Sequence, residues 1–172
     1  MGSKNPPKRR RRGNGRPGAQ RTVSVDELAG ILEHHRLWVG SGWEMGQRAD
    51  LRGAHLHKAD LAEAQLEWAD LSTADLAEAV LSGADLEDAN LHGADLHNAD
   101  VTGADLRWAD LAEADLSAAN LQGADLAEAD LSGANLTDAK GLTQEALDGA
   151  RADPSTQLPE GLTVGSGGKR PH

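Results

Sequence analysis

The sequence predicts an all-β solenoid with a short α-helical cap at each end, and three observations lead there. Alanine recurs every five residues from Ala49 to Ala139, at nineteen positions without a miss. Leucine follows two residues after each alanine from Leu51 to Leu136, with Val101 the single substitution. The residue between them is Asp twelve times and Asn three times, which leaves only His55, Gln65, Val80 and Lys140 outside the pattern. The unit is Ala-[Asp/Asn]-Leu-x-x, and looking for such repeats is what decides a sequence of this kind.

A period of five matches neither an isolated helix nor a long flat strand. It does match a short extended segment that turns Ala and Leu to one side, followed by two residues that turn a corner. Repetition winds the chain about a central axis, so inward residues stack on their counterparts about 4.8 Å along that axis. Alanine must be small because the sides converge inside, and leucine fills what remains. The composition agrees: with no Phe, no Tyr and four Trp, the interior has to be filled by stacked aliphatic side chains.

The motif resembles that of the pentapeptide-repeat family, and the match covers residues 49–140 almost without interruption. The resemblance implies a right-handed quadrilateral β-helix in which four pentapeptides make one square turn. On that basis the repeats give about 4.5 coils and a column on the order of 20 Å tall.

A solenoid needs covers on its first and last layers. Residues 24–39 read as a helix, with Ser24 and Glu27 as a capping box, Val23 and Leu28 as a staple, and an apolar stripe of Leu28, Ile31, Leu32, His35 and Val39. Leu37 to Arg48, with Trp38 and Trp43, is the expected connector to the first coil. After the repeats, Thr143 is placed to cap a short helix running to about Ala150, with Leu142 and Leu147 as its staple. The expected division is a disordered basic arm at 1–21, a capping helix and connector at 22–48, the β-helix at 49–140, a C-terminal cap at 141–162 and a flexible tail at 163–172.

The net charge of −11 conceals an asymmetry: residues 1–21 carry eight bases and no acid, whereas the rest of the chain carries nine bases and 28 acids. The absence of cysteine excludes disulfides, thiolate metal sites and a cysteine nucleophile, and with no signal-like or membrane-spanning run the expectation is a cytoplasmic protein without a membrane span.

Catalytic chemistry is not visible. Gly13-Asn14-Gly15-Arg16-Pro17-Gly18 matches a dinucleotide fingerprint in letters, but neither a strand nor a helix flanks it and Pro17 interrupts it. The Asp residues belong to the repeat consensus and are expected on the outer wall, not paired in a pocket that separates their pKa values. Among the histidines, His57 and His97 are expected on one face two coils apart with Ala77 between, about 10 Å and too far to share an ion. His55 is expected one pleat position from His57, and His92 and His97 on neighbouring faces. No cofactor and no metal are therefore expected.

Trp68 and Trp108 both close a repeat and are forty residues apart, so they should share an outward face with Asp88 between them. Exposed tryptophans concentrate at interaction hot spots, which makes Trp68, Trp108, Asp88 and Arg107 the expected partner-binding set. Lys8, Arg9, Arg10, Arg11, Arg12 and Arg16 form an electrostatic arm suited to phosphates or to an acidic protein. The reading is a non-enzymatic protein-binding scaffold or adaptor, monomeric rather than joined end to end, and a component of a larger complex. The resemblance implies an alternative, DNA-mimicking inhibition or protection of a type II topoisomerase, but the column equals only about six base pairs of 3.4 Å. Nucleic-acid binding through residues 1–21 is the second alternative.

Overall fold

The computed structural model describes residues 21–165, with strand β1 at Arg21–Thr22, helix α1 at Val25–Gly40, strand β2 at Ala54–His55 and helix α2 at Gln144–Gly149. Between β2 and α2 the chain repeats one conformation, and the repeat follows from where five backbone donors go. In the unit from Ala74 to Glu78, the Ala74 N–H closes a turn onto the Leu71 carbonyl (3.0 Å), and the Asp75 N–H reaches back one coil to the Ala54 carbonyl (2.9 Å). The Leu76 and Glu78 N–H groups reach forward one coil, to the carbonyls of Asp95 (2.7 Å) and His97 (2.9 Å).

That leaves the fourth N–H, and the Asp or Asn side chain takes it. Ala77 N–H donates to Asp75 Oδ1 at 3.2 Å, Glu87 N–H to Asp85 Oδ1 at 3.1 Å, and Ser132 N–H to Asp130 Oδ1 at 2.9 Å. Asparagine does the same, as His92 N–H donates to Asn90 Oδ1 at 3.1 Å. This is the Asx turn, in which a short carbonyl-bearing side chain accepts from the backbone two residues on. It explains why the second position is Asp or Asn and not merely polar. The last residue of each unit turns the corner with positive φ, from Lys58 (60°) to Asp138 (59°), and glycine occupies this place at Gly53, Gly83, Gly93, Gly103, Gly123 and Gly133.

Parallel bridges therefore step by twenty residues on four sides. One ladder starts Asp50, Asp70, Asn90, the second His55, Asp75, Asp95, the third Asp60, Val80, Asp100, and the fourth Gln65, Asp85, Asp105. Long regular strands do not form, because a corner interrupts each side; apart from β1 and β2 the ladders consist of isolated bridges. The β character thus resides in the stacking of coils and not in strand length. Two rungs also fall outside the alanine register: Arg151 pairs with Asp130 and Gln157 with Asn135.

The leucines from Leu51 to Leu136 and Val101 are buried, as are most of the alanines, while Ala59, Ala64 and Ala124 are half-buried. Each fully buried leucine contributes roughly 2 kcal/mol relative to exposure, which is how a core without Phe or Tyr is sustained. Leu147 of α2 joins this core.

Helix α1 begins where Ser24 Oγ accepts from Glu27 N–H (3.2 Å). Leu28, Ile31 and Leu32 pack against the core, and His35 and Trp38 are buried. Trp38 was expected in the connector; instead the helix continues to Gly40, and Trp38 falls on the same face as His35, three residues on. The imidazole of His35 stacks on Trp38 (centroids 5.6 Å apart) and its Nδ1 accepts from Ala49 N–H at 3.1 Å. The return to the first coil passes Gly46 (φ 74°), where a Cβ would lie 2.1 Å from the His34 carbonyl oxygen. Only glycine fits there.

Two expected boundaries shift. Arg21, assigned to the arm, pairs with Ala54 in β1, its guanidinium donating to the Asp50 carbonyl (3.0 Å) and to Glu27. Thr163, assigned to the tail, is bonded through its backbone to the Gln144 side chain (3.0 and 3.3 Å). The arm residues Lys8, Arg9, Arg10, Arg11, Arg12 and Arg16 lie outside the described residues.

Val80 is a position where the fourth-residue N–H, that of Ser82, is offered no side-chain oxygen. Val80→Asn is expected to stabilise the fold by about 1 kcal/mol by supplying that acceptor, its amide donating to Asp60 as Asn90 donates to Asp70 (3.3 Å). Asp130→Ala is expected to cost about the same. Denaturant midpoints of both variants check the pair.

Candidate interaction face

The hydrogen-bond register fixes which outward residues share a corner. Trp68 N–H donates to the Glu87 carbonyl (2.9 Å), Asp88 N–H to that of Arg107 (3.0 Å) and Trp108 N–H to that of Ala127 (3.0 Å). Trp68, Asp88, Trp108 and Glu128 consequently ascend one corner, each on the coil after the last. Both tryptophans turn this corner with positive φ (64° and 57°). Lys58 and Glu63 do so as well, so the conformation alone does not single them out. Exposure distinguishes Trp108 alone: it is 48% exposed, the one tryptophan among the exposed large apolar side chains of the described residues. Trp68 and Asp88 are half-buried.

Beside this corner lies the fourth side, carrying Glu67, Asp85, Glu87, Asp105, Arg107 and Asp125. Arg107 bonds Asp105 through Nε (2.8 Å) and Nη2 (2.6 Å), and Nη2 also reaches Glu87 at 2.6 Å. Asp125 lies 3.9 Å away, and the guanidinium carbon sits 5.4 Å from the Trp108 ring centroid. Arg107, expected to face a partner, is therefore engaged by carboxylates of its own chain and by the Trp108 ring. The hydrogen bond from Arg107 holds the Asp105 carboxyl below its usual range. Two coils lower, at Glu67, no cation plays that part. Burial, together with Asp85, Glu87 and Asp105, pushes Glu67 up to about 7, and its Oε2 is buried without a hydrogen-bond partner. Burial likewise raises Asp88.

The sequence reading missed this cluster because it weighed the Asp ladder as consensus. The signal lay in the fourth positions read at twenty-residue steps, Glu67, Glu87, Arg107, which the consensus leaves free. Asp85, Glu87 and Asp105 bring carboxylate oxygens within 4.8 Å of one another, but Glu87 and Asp105 already hold the Arg107 guanidinium. The histidines face separate acceptors: His55 meets Asp75 (2.7 Å), His57 meets Glu78 (3.9 Å), His92 meets Glu113 (4.0 Å) and His97 meets Ser117 Oγ (2.9 Å).

A four-sided stack of parallel coils whose distinctive side chains all lie on the outer wall defines a repeat protein that presents surfaces. The family model for pentapeptide repeats matches in eight copies over residues 47–77, 69–111 and 109–140, and the chain belongs to that family. Its members fold as right-handed quadrilateral β-helices and are generally non-enzymatic binding or structural proteins.

Among solved structures, the chain is similar to alr5209, a pentapeptide repeat protein from Nostoc PCC 7120, at 31% identity and a TM-score of 0.57, over 85% of this chain and 93% of that one. It is also similar to Rfr23 from the cyanobacterium Cyanothece 51142 at 36% identity, over 58% of this chain and 64% of that one, with a TM-score of 0.33. A third similar structure is QnrB1, a plasmid-mediated fluoroquinolone resistance protein, at 20% identity over 64% of this chain and 70% of that one, with a TM-score of 0.34. A comparison with curated proteins returns no match. No helix among the described residues is long and apolar enough to cross a membrane.

Glu67 generates a prediction with a definite sign. Because its folded pKa is raised, the folded state binds the extra proton between the ordinary carboxylate range and about 7, so stability from this group is present at low pH and lost as pH rises through 7. Glu67→Gln is expected to be more stable than wild type at pH 8, by about 1–2 kcal/mol after allowance for solvent screening. The difference should shrink at pH 5.5, and urea denaturation at the two pH values measures it.

Proposed function

We propose that the chain is a non-enzymatic protein-binding scaffold that engages a protein partner through the Trp68–Asp88–Trp108 corner and the fourth side beside it. The observation that carries this reading is the Trp108 ring, large, half-exposed and steadied by Arg107, in line with Trp68 on a rigid wall. Aromatic side chains of this kind supply contact area at low entropic cost, and hot spots favour them. The helices α1 and α2 close the ends of the column, so the walls and not the ends are the surfaces on offer, and the unit acts as a monomer. The protein works in the cytoplasm as part of a larger assembly.

The same corner offers a clean test. Both tryptophans occupy positive-φ positions that glycine adopts without strain, so Trp68→Gly with Trp108→Gly removes the rings while leaving thermal stability unchanged or slightly raised. Affinity capture from the native cell with the folded double variant is expected to lose a partner that wild type retains at least tenfold better. Equal recovery by both proteins would remove the corner from consideration. A supercoiling assay separates the DNA-mimicry alternative, since the scaffold reading expects a type II topoisomerase to be unaffected by excess protein. Deletion of residues 1–20 tests whether the arm contributes to the same contact or binds nucleic acid by itself.

A further inference from the structure

We propose that the joint at His35 is an acid-opened latch: protonation of this buried imidazole frees α1 from the first coil while the column itself stays folded. His35 is completely buried, on α1, against the residue that begins the first coil. Its Nδ1 accepts the Ala49 N–H at 3.1 Å, so the neutral ring carries its proton on Nε2, which is buried without a hydrogen-bond partner. A second proton would have to go onto Nδ1, turning an acceptor into a donor that confronts the Ala49 N–H. The ring cannot be charged and docked at once.

The surroundings do not favour the charge either. From the connector, Arg48 adds like charge, itself within 3.6 Å of Asp70. From the first coil the Glu67 carbonyl attracts a proton, but burial outweighs it and holds the ring at about 4. On α1 itself the neighbours are Trp38, stacked on the ring, and His34, whose Nδ1 is turned to the Gly30 carbonyl (2.7 Å).

The sign follows from linkage. Docking of α1 is fully supported above the ordinary histidine value of about 6.5 and weakens as pH falls toward 4, because the undocked ring takes up the proton. Between pH 7 and pH 5 the opening equilibrium rises about 20-fold. The fourth side responds in the opposite sense, since Glu67 gains its proton near 7 and loses its repulsion with Asp85 and Glu87. Acidification therefore loosens the joint while firming the column, and a departing α1 would uncover the apolar end of the first coil against which Leu28, Ile31 and Leu32 pack.

Native-state amide exchange of the full chain at pH 7.0 and 5.0, corrected for intrinsic rates, tests the latch at a single atom. The expected result is a fall of about 20-fold in Ala49 protection with no matching fall at Leu91 or Leu106. His35→Gln, which keeps an acceptor for Ala49 but cannot titrate, should show no such fall. Equal Ala49 protection at both pH values, an equal fall in His35→Gln, or a fall shared by Leu91 would overturn the proposal. Should the variant fail to fold, the ring titration of His35 in wild type decides: a depressed midpoint supports the latch and an ordinary one near 6.5 sinks it.

Discussion

The bond from an Asp or Asn side chain to the amide two residues ahead is what the rest of this protein depends on. In the interior coils four of the five backbone donors of each pentapeptide find carbonyls, either across a turn or on a neighbouring coil. The fourth-position amide lies at the corner, where no neighbouring strand can reach it, and an unmet donor there would be repeated at every corner. Asp75, Asp85, Asn90 and their counterparts meet it locally. Where Asp or Asn supplies this acceptor, the two corner residues are released from backbone duty, and their side chains can be of any type that tolerates solvent.

That release is why the chemistry sits where it does. Glu67, Glu87 and Arg107 occupy the first corner position on one side, and Trp68, Asp88 and Trp108 the second. None is needed to hold the coil together. Arg107 draws Asp105 and Glu87 into one network and lies over the Trp108 ring, whereas the equivalent place one coil below holds Glu87 and, two below, Glu67. The result is a face whose upper half is ordered around one cation and whose lower half holds carboxylates without one. This asymmetry in a regular frame makes one part of the wall chemically distinct from another.

The column was legible in the sequence because its register is strict: Ala49 to Ala139 and Leu51 to Leu136 define inside, and a period of twenty places Trp68 and Trp108 together. What escaped the reading follows a different rule in each case. Trp38 belongs to the helical period of three and four, and its neighbour Trp43 drew it into the connector. Arg151 and Gln157 continue ladders at spacings of 21 and 22, because one extra residue enters with the segment that holds α2 and another with the turn between Arg151 and Gln157. The Arg107 network needs side chains from three successive coils, so only the stacked structure reveals that its charge is taken. The His35 joint combines a helix residue with the first amide of the repeats, and nothing in the spacing of either predicts that they meet.

Because each coil bonds only to the coils before and after it, column height comes in whole steps. Excising or adding twenty residues between Trp68 and Trp108 would preserve every ladder and every Asx turn, and would change their separation by one strand spacing, about 4.8 Å. The same edit of five residues would instead move one ring to an adjacent side. The distance between the two rings is thus a ruler with fixed graduations, and evolution can tune the reach of such a wall by duplication without redesigning its interior.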